Sequence, residues 1–143
     1  MNTQTTFCTF SLGTLQLGVE VQRVQEVIRH QRMTRVPGAG DSVAGLMNLR
    51  GQIVTAIDLR QRLGLTPEAG QSAAMSVVLR TPDGPVSLLV DQIGDVALVD
   101  IAMFEPSPET LQGIARNMLQ GAYKLENELL LILDADAVLK QAA

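Results

Sequence analysis

Apolar and polar positions alternate from Phe7 to Leu12 and from Leu15 to Val21, with Gly13-Thr14 between them, which predicts a β-hairpin. The alternation puts Phe10 and Leu12 on one face, with Cys8 beside them. Val21, Val24 and Val27 (or Ile28) recur at helical spacing, so a short helical turn is expected over 21–27. A strand follows from about Ile28 to Val36 and breaks at Pro37-Gly38. Asp41-Ser42 reads as the cap of one helical turn ending near Gly45. Leu49 to Ile57 is the best strand pattern in the chain. Asp58 ends it as a helix N-cap, with Gln61 at capping-box spacing and Gly64 as the stop. The small, polar stretch 65–74 reads as a connection. A second hairpin joins Ser76–Arg80 to Val86–Val90 across Pro82-Asp83-Gly84-Pro85. Ser107-Pro108-Glu109-Thr110 predicts a helix start with Pro at its first position. Leu129 to Leu133 is the closing strand, and Asp134 caps a last helix from Ala135 to about Gln141.

The pattern repeats. The stretch Leu49 to Leu59 returns 76 positions later as Leu125 to Ala135: a leading Leu, polar turn residues, an apolar strand and a closing Asp. Gly45 pairs with Gly121 and Leu63 with Leu139 at the same offset. Asp91 to Val96 follows the pattern of Gln22 to Val27 at an offset of 69. Two copies of one small unit create a seam, a place where ligands and partners bind. Short strands with closely spaced turn signals favour a sandwich or small barrels. A parallel α/β sheet would need longer helical crossovers.

Composition narrows the function. A chain of 143 residues fits one domain or two very small subdomains. Hydrophobic residues are 46% and aromatics 3%, so the core must be aliphatic. A net charge of −4 gives no electrostatic footprint for nucleic acid. The single cysteine, Cys8, excludes an internal disulfide and fits a reducing compartment. The N-terminal residues lack the pattern of a signal peptide, and the longest apolar run, Leu129 to Leu133, is far too short to insert into a membrane. A cytoplasmic location is expected.

Candidate chemistry is sparse. His30 is the only histidine, flanked by Arg29 and Arg32, so any triad would have to use it. One Cys and one His argue against a structural zinc site. Cys8 reads as a small core residue. Gly38-Ala39-Gly40 lacks the rest of a phosphate-binding motif. Asp58 and Asp134 are explained as helix caps. No catalytic residue, cofactor or metal is expected. The copies differ at Asn48-Leu49-Arg50-Gly51 against Lys124-Leu125-Glu126-Asn127. Arg50 stands at a turn into an apolar strand, where its fork of donors suits a carboxylate or a partner backbone. An internal pair, with Glu26 or an Asp, and a partner contact are equally open.

Val24-Gln25-Glu26-Val27, Thr34-Arg35-Val36-Pro37, the run Gly45 to Val54 and Asp58-Leu59-Arg60 together resemble the CheW family of bacterial chemotaxis coupling proteins. Leu89 to Ile93, Gln120-Gly121-Ala122 and Leu131 to Asp134 extend the likeness over nearly the whole chain. Val86-Ser87 departs from it, where a glycine would be expected. The resemblance implies a mainly β fold: two five-stranded SH3-like β-barrel subdomains packed side by side, with short helices. Within one domain over 1–143, the first barrel is expected over 13–66 and the second over 75–130, with the terminal segments completing them.

The resemblance also implies a non-catalytic adaptor. Its partners would be the signalling tip of a methyl-accepting chemoreceptor and the regulatory domain of the histidine kinase CheA, at membrane-associated receptor arrays. It would be a monomer alone, with arrays formed only with partners. Receptor-facing positions carry over onto Val24, Glu26, Gly45 and Arg50, with Val21 as a further candidate; no motif marks the kinase-contact positions. The alternatives are a small-molecule binding module using the seam, and a CheW-like antagonist or surface-motility paralogue.

Overall fold

The computed structural model describes residues 4–29, 32–38, 40, 42–65, 75–106, 117–125 and 128–140. β1 (Gln4–Leu12) and β2 (Leu15–Glu20) form the first hairpin, and a 3-10 turn (Val21–Arg23) leads into β3 (Val24–Arg29). β4 (Val43–Leu49) and β5 (Gln52–Asp58) form the second hairpin, followed by α1 (Leu59–Arg62). β6 (Met75–Leu79) and β7 (Val86–Val90) form the third. Asp91 alone separates β7 from β8 (Gln92–Asp100), which runs through a 3-10 turn (Ile101–Met103) into β9 (Phe104–Glu105). β10 (Leu119–Lys124), β11 (Leu129–Leu133) and α2 (Ala135–Leu139) complete the described elements.

The fold is mainly β, with two sheets and short helices. The six-stranded sheet has the order β8-β1-β2-β11-β10-β9, and the five-stranded sheet β3-β6-β7-β5-β4. The orders match strand for strand: β3, β6, β7, β5 and β4 correspond to β8, β1, β2, β11 and β10. Each sheet has one parallel pair, β5 with β7 and β11 with β2, at matching places. The repeat seen in the sequence is therefore a structural repeat.

The sheets do not follow the expected division at 13–66 and 75–130. The hairpins are exchanged: β6–β7 joins the strands of the first half, and β1–β2 those of the second. The chain changes sheet at two very short connections, the 3-10 turn after β2 and Asp91 after β7. Pairings between segments so far apart leave no local trace in the sequence.

Among the described residues, apolar side chains form three clusters. The seam core holds Phe10, Leu12, Leu17 and Val19 from one sheet, Ile57, Val77, Leu79, Leu88 and Val90 from the other, and Leu59 and Val138 from the two helices. Alternate residues point the other way. Val78, Met47, Leu49 and Val54, joined by Ile28 and Met33, form the interior of the first barrel-like sheet. Phe7, Val99, Tyr123, Leu130 and Ile132 form that of the second. Each interior draws on strands from both edges of its sheet, so each sheet curls upon itself. Phe104 and Phe7 both pack on Tyr123, at ring-centre distances of 5.3 and 5.7 Å.

Other expectations fare unevenly. Both Asp caps form: Asp58 Oδ1 accepts from Gln61 N and Asp134 Oδ1 from Ala137 N, each at 3.1 Å. Leu49 to Ile57 is not one strand, because a two-residue turn at Arg50-Gly51 divides it. The helical turn expected near Gly45 is the strand β4. The helical spacing of Val21, Val24 and Val27 comes from the 3-10 turn followed by a bulge in β3. Val24 pairs with Leu79 and Glu26 with Val78, so Gln25 is the extra residue. The bulge keeps Val24 and Val27 on the seam face and turns Glu26 and Ile28 toward the barrel interior. His30, Asp41, the helix start at Ser107-Pro108 and most of the 65–74 connection lie outside the described residues.

Candidate functional site

Arg50 is the first residue of the β4–β5 turn, with φ 53°, and Gly51 follows with φ 87°. A two-residue hairpin turn of this kind needs positive φ at both places, which suits Asn-Gly or Gly-Gly better than Arg. Arg50 is the one non-glycine residue with positive φ among the described residues. Asn48 supports the turn by accepting from Gly51 N at 2.8 Å. A long cation kept at a strained position points to a use for that cation.

Arg50 donates from Nη2 to Glu26 Oε2. Its side chain is 67% exposed and that of Glu26 is 21% exposed. The hydrogen bond from Arg50 is the main cause holding the Glu26 carboxyl below the usual carboxylate range. β3 and β4 are opposite edges of the five-stranded sheet. The pair therefore spans the mouth of the first barrel.

Gly45 is buried on β4, where a side chain would strike Thr34 O at 2.7 Å. Backbone hydrogen bonds of 2.8 Å join Thr34 and Leu46 in both directions there, so this glycine permits a close crossing of two segments. Its counterpart Gly121 lies against Phe104 and Glu105 in the same way. Val24 is half-buried against the seam core, and Val21 is exposed on the 3-10 turn. Arg80 ties that turn down by donating to Gln22 O and Val24 O at 2.9 and 2.7 Å.

The structure adds an apolar margin that the sequence reading missed. Val96 pairs with Cys8, a seam-core residue, and Leu98 pairs with Thr6, two residues away on the same face. Val96 and Leu98 thus lie on the seam face of edge strand β8, yet they are 63% and 60% exposed. The β1–β2 ladder ends at Phe7 and Glu20, so Val21 comes level with Thr6, whose partner on the other side is Leu98. An exposed apolar margin runs from the 3-10 turn onto β8. The signal was present in Asp95-Val96-Ala97-Leu98-Val99-Asp100, where Val96 and Leu98 alternate with inward residues.

On the other flank of the 3-10 turn, a groove of about 680 Å³ opens. Arg23, Ile53, Pro82, Pro85, Leu139 and Lys140 are among its lining residues. It adjoins the barrel end from which Arg50 and Val24 project, because β5 and β7 start and β4 and β6 finish there. None of the lining residues is buried. No group of three or more metal-ligating side chains occurs among the described residues. Cys8 is buried and free, and burial raises its thiol pKa. No helix among the described residues is long and apolar enough to cross a membrane.

The CheW-like domain family model matches residues 6–143. The chain is 33% identical over 130 residues to the chemotaxis protein CheW of Bacillus subtilis, covering 91% of this chain and 83% of that one. It is 29% identical over 133 residues to the chemotaxis protein CheW of Klebsiella aerogenes, with coverages of 93% and 80%. The crystal structure of the scaffolding protein TtCheW from Thermoanaerobacter tengcongensis shares the fold, with a TM-score of 0.81 at 24% identity over 94% of this chain and 86% of that one. With an exchanged pair of barrel-like sheets and this sequence likeness along its length, the chain belongs to the CheW-like domain family of chemotaxis proteins.

Proposed function

We propose that this domain is a chemotaxis adaptor that joins a methyl-accepting chemoreceptor to the regulatory domain of the kinase CheA, by binding and without catalysis. Family membership supports the adaptor role. The observation that carries the receptor reading is the Arg50–Glu26 pair at the barrel mouth, with Glu26 on the strand that begins directly after the 3-10 turn where the exposed apolar margin starts at Val21. A receptor helix would lay its apolar stripe along Val21, Val24, Val96 and Leu98, and the two charges would fix its register. Gly45 would act indirectly, by setting the crossing on which β4 rests. The kinase would take a different face, leaving both partners bound at once and raising their effective concentration at membrane-associated arrays. The adaptor itself would be cytoplasmic.

An open groove with no buried polar lining supports a protein partner over a small molecule. The test is co-purification of the domain with a soluble receptor signalling tip and a CheA regulatory domain. A three-component complex is expected. Failure to hold either partner, with the domain folded, would refute the adaptor reading.

A further inference from the structure

Arg62, the last residue of α1, is 6% exposed. Its Nε donates to Val138 O at 3.0 Å and its Nη2 to Ala137 O at 3.1 Å. Among the described residues no carboxylate pairs with it. A buried guanidinium needs hydrogen-bond acceptors, and the last carbonyls of a helix lack intrahelical partners and carry the negative end of its dipole. Arg62 supplies the complementary charge to α2. Positions 62 and 138 are themselves counterparts at the 76-residue offset, so the contact joins the two related helices at equivalent places.

Five residues are too few for α2 to hold itself in water. Asp134 fixes its start and Val138 is buried beneath it. Its far end, Leu139 followed by Lys140, forms one wall of the groove. We propose that Arg62 is a positioning residue: by holding the last turn of α2, it sets the wall of the groove that adjoins Arg50 and Val24, so that a receptor helix lying across the 3-10 turn meets this wall with its other edge. The binding half of this inference rests on the receptor reading above; the latch itself does not.

Arg62→Met keeps the buried length and removes both donors, a change that buried ionic sites often tolerate. Arg62→Lys keeps one donor. Hydrogen exchange at the α2 amides and titration with a soluble two-helix receptor-tip fragment are measured on the folded domain and both variants. The expected result for Arg62→Met, which loses two hydrogen bonds, is about tenfold faster exchange in α2 and about fivefold weaker tip binding, with strand amides unchanged. Arg62→Lys should fall between. Unchanged α2 exchange in Arg62→Met would overturn the latch. Faster exchange with wild-type binding would overturn the positioning role. If the wild-type domain does not bind the fragment, the receptor reading and the positioning role fail together, and exchange alone decides the latch.

Discussion

In the first barrel the acid beside the bulge of the edge strand, Glu26, meets Arg50 across the mouth. In the second, the acid at the matching place beside the β8 bulge is Asp95, and the sequence counterpart of Arg50 is Glu126, which lies outside the described residues. Two acids cannot make the pair that one acid and one cation make. The edge strands differ as well: Val27 is packed against the seam core, while its counterpart Val96 is exposed. Features that build the fold are therefore duplicated, and those proposed to bind a receptor are not.

A second contrast lies at the two ends of the seam. Arg60 of α1 pairs with Asp91 at 2.6 Å, and Asp91 also accepts from Gly13 N at 2.7 Å. In the other half Asp136, the counterpart of Arg60, pairs with Arg23 at 3.1 Å. The signs are reversed. The first pair is mostly buried, with side chains 15% and 21% exposed, whereas Asp136 is 85% exposed. One end is a closed knot, and Arg23 and Asp136 at the other line the open groove.

The largest expected effect separates the paired glycines. Gly121→Ala forces a Cβ to about 2.4 Å from Glu105 O and 2.2 Å from the Phe104 ring. Overpacking of that kind should cost about 3 kcal/mol in a denaturant melt, and Gly45→Ala, blocked chiefly by Thr34 O, about half as much. The ion pairs come next. Asp91→Ala removes a mostly buried ion pair with Arg60 and the acceptor of Gly13 N and should cost about 2 kcal/mol, while Asp136→Ala should change stability by less than about 0.5 kcal/mol. Equal costs would erase the contrast between the seam ends.

Arg50→Gly should sharpen the comparison of the mouths. It removes a strained residue and an exposed pair, so the melting temperature should stay level or rise slightly while receptor binding is lost. Because the Glu26 pKa is lowered, its charge is kept above the ordinary carboxylate range and lost only as pH falls through the depressed value. Receptor binding should therefore be flat between about pH 5 and 8, where the Glu26 carboxylate stays ionised. The smallest effect concerns Cys8 and its seam-core counterpart Val77. Cys8→Val should shift stability by less than about 1 kcal/mol. With its pKa raised by burial, the native thiol should resist alkylation at pH 8 and react on unfolding.

The pattern in the sequence disclosed what is local or repeated. The first and third hairpins, both Asp caps and the matched glycines each rest on a few adjacent residues or on a copy elsewhere in the chain. Exchange of the hairpins was hidden because pairing β3 with β6 or β1 with β8 depends on which face meets which in space. The bulge at Gln25 imitated helical spacing, and Arg50-Gly51 sat inside an apolar run that masked a turn. At the site, the Arg50–Glu26 contact was one of two open readings. Val96 and Leu98 were overlooked because a strand's exposed margin looks in sequence like any half-buried strand.

The most direct measurement is receptor-tip binding by the double charge exchange Glu26→Arg with Arg50→Glu, beside both single variants. The double variant restores attraction across the mouth but reverses which side carries the cation. The expected result is a wild-type melt and wild-type kinase binding, with receptor binding still lost. Recovery of receptor binding to the wild-type level would contradict the account, because the pair would then serve only to close its own barrel.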